Sequence, residues 1–203
     1  MRAGLGMTHP ELEAIVADSS PVAESTVSWR QGVMPLRVQA YLGHPLLPDE
    51  LISSVRCLVR VRDQVVYCQN PGGGHPWPGG RRNEGETLVE TAVREVYEET
   101  GWHLQVDSMR SLGWLRFTHL ARPPQGYEFP HPDFLHVVMG GSSQRRAVGE
   151  QDKWTDIDEY EQGSELLSVE QARSRPDCDP LSLEFLHLFS QTRDFLTAPQ
   201  RPG

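Results

Sequence analysis

Cysteine is scarce: Cys57, Cys68 and Cys178 are the only three among 203 residues. An odd count with no CxxC spacing argues against both a disulfide framework and a zinc site, and leaves free thiols suited to a reducing cytosol. Long apolar runs are missing as well, and nothing approaches the about eighteen residues that a membrane-spanning helix requires. The first residues carry Glu11 and Glu13 before any apolar run, so they do not read as a secretory signal, and a cytoplasmic location is expected. Positive charge is in deficit, with 19 Lys and Arg against 28 Asp and Glu and a net charge of −9. That balance repels phosphate polymers, so no nucleic acid polymer is expected as a partner. An acidic chain still handles small phosphate compounds when cations stand between its carboxylates and the substrate.

The length fits one sizeable domain plus an extension. Residues 1–50 read as the extension. It holds a short helix over residues 8–18, with Thr8 as cap, Glu11 completing a capping box, and Leu12, Ile15 and Val16 on one stripe. One strand is expected around Leu36 to Leu42. From Val55 the residues Val55, Cys57, Val59 and Val61 alternate with Arg56, Leu58, Arg60 and Arg62, the pattern of a half-buried strand. A turn near Asp63 and Gln64 returns the chain through Val65 to Cys68. The glycine- and proline-rich segment NPGGGHPWPGG then leads into a helix. Further strands are expected at Leu104 to Val106, Met109 to Phe117 and Phe134 to Met139, and an exposed acidic loop over Asp152 to Glu165. A closing helix over Ser182 to Thr197 carries Leu183, Phe185, Leu186, Phe189 and Phe195 as its apolar positions. These elements make a mixed α+β domain over residues 51–197, followed by a tail at 198–203.

The central helix has clear ends. Thr87 and Glu90 form a capping box, and Gly101 suits the left-handed residue that closes a helix. Val89, Val93 and Val96, bordered by Ala92, supply a packing stripe. On the other side Glu95, Glu98 and Glu99 fall within an arc of about 100° on a helix of 3.6 residues per turn. Like charges at this spacing repel, so either the cluster is a solvated acidic face or a cation occupies it. Hard carboxylate oxygens suit Mg²⁺ or Mn²⁺, with remaining positions left for water and phosphate oxygens.

The flanking residues decide between these. From Gly80, five residues lead to Glu86 and seven more to Arg94 and Glu95, with Val96, Glu98, Glu99, Gly101 and Trp102 following in register. This resembles the Nudix box, GX5EX7REUXEEXGU, in which U is a bulky apolar residue. Every fixed position is filled; Trp102 stands where an aliphatic residue is more usual. The resemblance implies an α/β/α sandwich with a mixed β-sheet over about residues 51–197, and a metal-dependent hydrolase of diphosphate linkages in nucleoside diphosphate derivatives or nucleoside triphosphates. Carried over by position, Glu95, Glu98 and Glu99 are the expected metal ligands, and Glu95 also helps to activate water. Arg94 orients the carboxylates, Gly79 and Gly80 let the backbone approach metal and phosphate, and Glu86 anchors the loop.

The resemblance gives no register for a base outside the box, for which Glu150, Glu159, Glu161 and Glu165 are candidates, each weighed against an ordinary surface carboxylate. His75 and Trp77 are candidates to touch substrate, and His131 and His136 weaker ones. Trp77, Trp114, Tyr127 and Phe129 are candidates to stack on a base, core packing explaining Trp114 equally well. The arrays that mark hydrolases of ADP-ribose, NADH and coenzyme A are missing. Two other readings stand beside the hydrolase: a ligand-sensing module without turnover, in which residues 1–50 make the partner contacts, and a relative of isopentenyl diphosphate isomerase, which depends on an active-site cysteine. The partner expected is a small diphosphate compound, no membrane, and an assembly that extends to a homodimer in many relatives.

Overall fold

The computed structural model describes residues 8–30, 32–69, 75–127, 129–147 and 163–192. Two long strands dominate it. β3 (Ile52–Val61) and β7 (Asp133–Arg146) run parallel at the centre of the sheet, from Ile52 beside Leu135 to Arg60 beside Ser142. The remaining strands are β1 (Ala23–Trp29), β2 (Met34–Leu42), β4 (Gln64–Cys68), β5 (Trp102–Leu104), β6 (Arg110–His119) and β8 (Ser164–Leu167). They complete the order β1-β2-β6-β7-β3-β4-β8, with β5 paired to the far end of β7, and all these other pairings are antiparallel. Residues 23–42, inside the segment expected as an extension, thus add two strands to the same sheet. The inward positions of β1, Ala23, Ser25 and Val27, are too small and polar to announce a strand.

Helices cover both faces, giving the expected α/β/α layering. On one face lies α2 (Leu88–Thr100), where Val55, Cys57, Val59 and Val61 of β3 meet Ala92 and Val96. Ala92 and Val96 are fully buried, whereas Val89 and Val93 are only partly so, and the packing stripe is therefore centred a residue away from the valine register. Burying a valine side chain stabilises by roughly 1.5–3 kcal/mol, so Val96 alone is a substantial tie between helix and sheet. α1 (Pro10–Ala17) covers the same face through Leu12, packed with Tyr41, Trp114 and Leu135. On the opposite face, α3 (Val169–Arg173) and α4 (Pro180–Gln191) cover Leu36, Val38, Leu58 and Val138. Leu58 is buried there, so β3 is covered on both faces rather than half-buried, as suits a strand paired in parallel at the centre of a sheet.

Several boundaries differ from the sequence expectation. α1 starts after His9, not Thr8, and no side chain caps it, because Pro10 occupies the first helical turn and its fixed φ sets the start. The strand expected at Leu104 to Val106 lies at Trp102–Leu104, and Val106–Ser108 form a 3-10 turn. β7 runs past Met139 through Gly140 and Gly141, where added Cβ atoms would stand 2.8 Å from the Phe189 ring and 3.3 Å from Leu104 and Met109. Those glycines admit neighbours from both layers instead of ending the strand. Of the acidic stretch, residues 151–162 fall outside the described residues, while Glu165 sits on β8 rather than in a loop. The last helix begins at Pro180, capped by Asp179, which accepts a hydrogen bond from the Ser182 amide, and ends at Gln191. Phe195 and the tail lie outside the described residues.

A buried ion pair joins β6 to β7 and, through the half-exposed Glu13, holds α1 to the sheet. Arg116 on β6 donates to both carboxylate oxygens of Asp133, at 2.8 and 3.1 Å, and to Glu13 of α1 at 2.8 Å. The Arg116 and Asp133 side chains are 7% and 2% exposed, which makes this contact costly to break.

Candidate active site

The segment between β4 and α2 takes the place beside the first half of β3 that β4 leaves open. The Val55 amide donates to the Gly80 carbonyl at 3.0 Å, the Cys57 amide to Pro78 at 2.8 Å, and the Arg82 amide to Ser53 at 3.1 Å. Gly79 is needed for this approach: its φ is +147°, and a Cβ would lie 2.1 Å from the Val55 carbonyl oxygen. The same docking brings Gly80 against the carboxylate of Glu95, whose oxygens would stand 2.3 and 2.5 Å from a Cβ at residue 80.

α2 begins with the full capping box, Thr87 accepting from the Glu90 amide and Glu90 from the Thr87 amide, and ends at Gly101 with φ +71°. Nearly two turns in from its start, Arg94 organises the site. Its Nε and Nη2 donate to the two oxygens of Glu86 at 2.6 and 2.8 Å, its Nη1 to Glu95 at 2.7 Å and Glu98 at 2.9 Å, and its Nη2 also to the Arg81 carbonyl at 2.8 Å. A planar guanidinium with five N–H donors can make all five of these bonds at once; a lysine, with three, cannot. Glu86 also accepts from the Asn83 amide and the Thr91 hydroxyl, and the Arg94 guanidinium beside it holds its carboxyl well below the usual carboxylate range. Burial pushes Glu95 the other way, upward, with Arg94 opposing it in part. Glu99 accepts a hydrogen bond from the Gly79 amide at 2.8 Å.

The carboxylates Glu95, Glu98 and Glu99 are therefore gathered at one place, on a fold that leaves no room for a side chain at Gly80. A set of hard oxygen donors fits Mg²⁺ or Mn²⁺ by its chemistry. Among the described residues no three His, Cys, Asp or Glu side chains already enclose a point where an ion would sit; here Arg94 and the Gly79 amide engage these carboxylates.

Two adjoining cavities open beside this centre. The outer one, about 290 Å³, reaches Gly80 and is lined by Trp29, Tyr127, Phe129 and three arginines, Arg30, Arg56 and Arg81. Arg81 lies over the Phe129 ring at 4.6 Å. The inner one, about 240 Å³, shares Trp29, Arg56 and His136 with it and runs between the sheet and α4. A larger cavity of about 630 Å³, lined by Arg60, Arg62, Trp102 and Gln105, lies at the other end of β3 and shares no residue with them.

The residues expected from sequence divide accordingly. Gly79, Gly80, Glu86, Arg94, Glu95, Glu98 and Glu99 stand together at the loop–helix junction. His75 and Trp77 line the inner cavity, and His136 lines both. Burial, reinforced by the nearby Arg56 charge, pushes His75 and His136 well below the ordinary histidine range. Tyr127 and Phe129 line the outer cavity, but Trp114 stacks on Tyr41 at 4.2 Å in the core. His131 lies 5.0 Å from His119 and is not among the residues that line either cavity. Glu165 pairs with Arg175 at 2.9 Å near the sheet edge, and Glu150, Glu159 and Glu161 lie outside the described residues. Cys57 and Cys68 are buried, and burial pushes the Cys57 thiol up to about 12, which suits packing and not the thiolate that an isomerase would need. Sequence reasoning missed Trp29, Arg30, Arg56 and Arg81. The turn glycine at Gly32, with φ +93°, was the available sign that a hairpin brings Trp29 and Arg30 back toward the site.

The NUDIX domain family model matches residues 51–189. Over 98 residues the chain is 44% identical to the human 8-oxo-dGDP phosphatase NUDT18 and 35% identical to the mouse protein of that name, in each case covering 41% of this chain. The match spans only 30% of the length of either relative. Among solved structures, the Bacillus subtilis pyrophosphohydrolase BsRppH superposes with a TM-score of 0.57 at 16% identity, covering 83% of this chain and 98% of that one, a likeness of fold. With the box complete and the family model covering more than half of its length, the chain belongs to the Nudix hydrolase family.

Proposed function

We propose that this chain is a divalent-metal-dependent hydrolase that cleaves the diphosphate linkage of a nucleoside diphosphate derivative or nucleoside triphosphate, in the cytoplasm. The observation that carries the reading is the Arg94 fork: one guanidinium fixes Glu86, Glu95 and Glu98 beside Gly80, at the mouth of a cavity lined by three arginines. Glu95, Glu98 and Glu99 would hold Mg²⁺ or Mn²⁺, which when bound offsets phosphate charge and makes water a better nucleophile. Arg94 keeps two of these carboxylates in place, so little reorganisation accompanies the reaction. Arg30, Arg56 and Arg81 bind the anionic substrate and draw it into an otherwise acidic protein. Water adds to one phosphorus and the P–O bond of the anhydride breaks, giving two phosphate-bearing fragments, or a phosphate ester plus pyrophosphate. The names of the human and mouse relatives support including an oxidised guanine nucleotide among the substrates.

The test is release of phosphate, pyrophosphate or nucleoside monophosphate from nucleoside di- and triphosphates, 8-oxo-dGDP, nucleotide sugars and dinucleoside polyphosphates, with Mg²⁺ or Mn²⁺ and after chelation. Turnover that requires metal and falls at least 100-fold in Glu98→Gln is the expected result. Binding without turnover on every compound would replace it with a sensing module.

A further inference from the structure

One large aromatic side chain beside the site is left partly open. Trp29 ends β1 and is 38% exposed, and it lines both the outer and the inner cavity. Its ring leans on Phe117 at 5.1 Å and Phe134 at 5.8 Å and lies near-parallel to His136 at 6.2 Å. These neighbours hold the indole in one orientation without covering it. A single exposed apolar residue is ordinary on a protein surface; what sets Trp29 apart is its surroundings.

Arg30 and Arg81 line the outer cavity with it, and among the described residues neither is paired with a carboxylate. Their guanidiniums lie instead over the rings of Tyr127 at 5.9 Å and Phe129 at 4.6 Å. In a chain of net charge −9, two cations without counter-ions at one cavity mouth favour an anion there. The inner cavity has neither of these arginines and is walled mainly by apolar residues, among them Val38, Leu181 and Phe185. Trp29, with Arg56 and His136, thus stands where a cationic cavity meets an apolar one. A ligand that suits this junction has an anionic end and a flat, largely apolar ring; a nucleotide has both. Trp29 comes from outside the segment matched by the family model, so the box and its domain do not account for it.

We propose that Trp29 is a specificity-determining residue: its indole ring stacks on the base of a nucleotide whose phosphates lie against Arg30 and Arg81, so that phosphate compounds without a base bind weakly. The inference rests on the hydrolase reading for its ligand class, but it is tested by binding alone. GMP, AMP, CMP, UMP and ribose 5-phosphate carry a phosphate and no anhydride, so none is consumed. Each is titrated calorimetrically with Mg²⁺ into the native chain, Trp29→Leu and Trp29→Phe. The tightest nucleotide should bind the native chain about 10-fold more tightly than ribose 5-phosphate, the worth of one base stacked on an aromatic ring. Trp29→Leu should abolish that advantage and leave ribose 5-phosphate unchanged, and Trp29→Phe, which keeps an aromatic face, should recover most of it. A native chain that binds no nucleotide more tightly than ribose 5-phosphate would overturn the assignment without any variant. So would an undiminished advantage in Trp29→Leu, or equal losses for nucleotide and sugar phosphate in a Trp29→Leu chain that melts as the native one does. Base-dependent binding in a chain that hydrolyses nothing would keep the role of Trp29 and discard the hydrolase; turnover with base-independent binding would do the reverse.

Discussion

Substituting Gly80 by alanine separates the placement of the carboxylates from the stability of the fold. A Cβ at residue 80 would stand 2.3 Å from one oxygen of Glu95, where ordinary contact begins at 3.4 Å, so the carboxylate must retreat by about 1.1 Å (3.4 − 2.3). Its bond to Arg94 is 2.7 Å long and cannot follow such a move without lengthening. Misplacing a catalytic group by about 1 Å costs on the order of 100-fold, and kcat/KM for whichever compound the panel identifies should fall by about that factor. The fold should scarcely notice. The backbone at Gly80 lies outside the left-handed region, the atoms that clash are the end of a side chain, and a compatible glycine-to-alanine change tends to stabilise by about 0.4–1 kcal/mol. Tm should therefore stay within about 5 °C of native. Gly79→Ala is the contrast: its clash is with the Val55 backbone at 2.1 Å and its φ is +147°, so it should lower Tm markedly. Parallel thermal melts and phosphate-release assays decide the matter. A Gly80→Ala chain that retains activity within threefold of native refutes the idea that the glycine exists to seat Glu95.

Two further outcomes follow from charge. Asp133→Asn leaves Arg116 buried without its main counter-ion and should destabilise by about 3–5 kcal/mol in urea titration, whereas Glu13→Gln, at a half-exposed carboxylate, should cost under about 1 kcal/mol; equal effects would show that burial does not govern this cluster. Glu86, whose folded-state pKa is depressed below its ordinary value of 4.5 chiefly by Arg94, contributes stability that is fully present above that value and lost as pH falls through its folded pKa. Acid unfolding should accordingly need less acid in Glu86→Gln than in the native chain only if the loss of the Arg94 pair outweighs the removed titration, and the slope of stability against pH below 4.5 should be shallower in the variant; an unchanged slope would mean that Glu86 is not the group responsible.

Helix α2 was the most legible part of the molecule because what defines it is local. Thr87 with Glu90 and the terminal Gly101 fix its ends within one turn each, and Glu86, Arg94, Glu95 and Glu98 meet through contacts of at most twelve residues' separation. The Ser168 and Gln171 box that starts α3 is equally local, but the helix behind it, five residues long, is too short to show a periodic stripe in the sequence. What sequence hid depends on partners distant in the chain. β1 is recognisable only from its pairing with β2, since small and polar residues face inward, and the extent of β7 past Met139 depends on Phe189 and Leu104 arriving over its two glycines. Arg56 reads as the outward residue of an alternating strand, and only the layering of α4 over that face turns it into the junction of two cavities.

The parallel pairing of β3 with β7 joins residues about 80 positions apart, and everything from Gly79 to Gly101 lies within the loop that it closes. Chain entropy must be given up over that whole loop before the central strands repay it, which places their union among the slower steps of folding. The helix with its capping box can form early by itself, but Gly80 reaches Glu95 only once β3 is there to receive the loop. A chain caught before that closure would carry the entire acidic signature and none of the geometry, so hydrogen exchange at the Val55 and Cys57 amides would report the birth of the site more faithfully than helix content does.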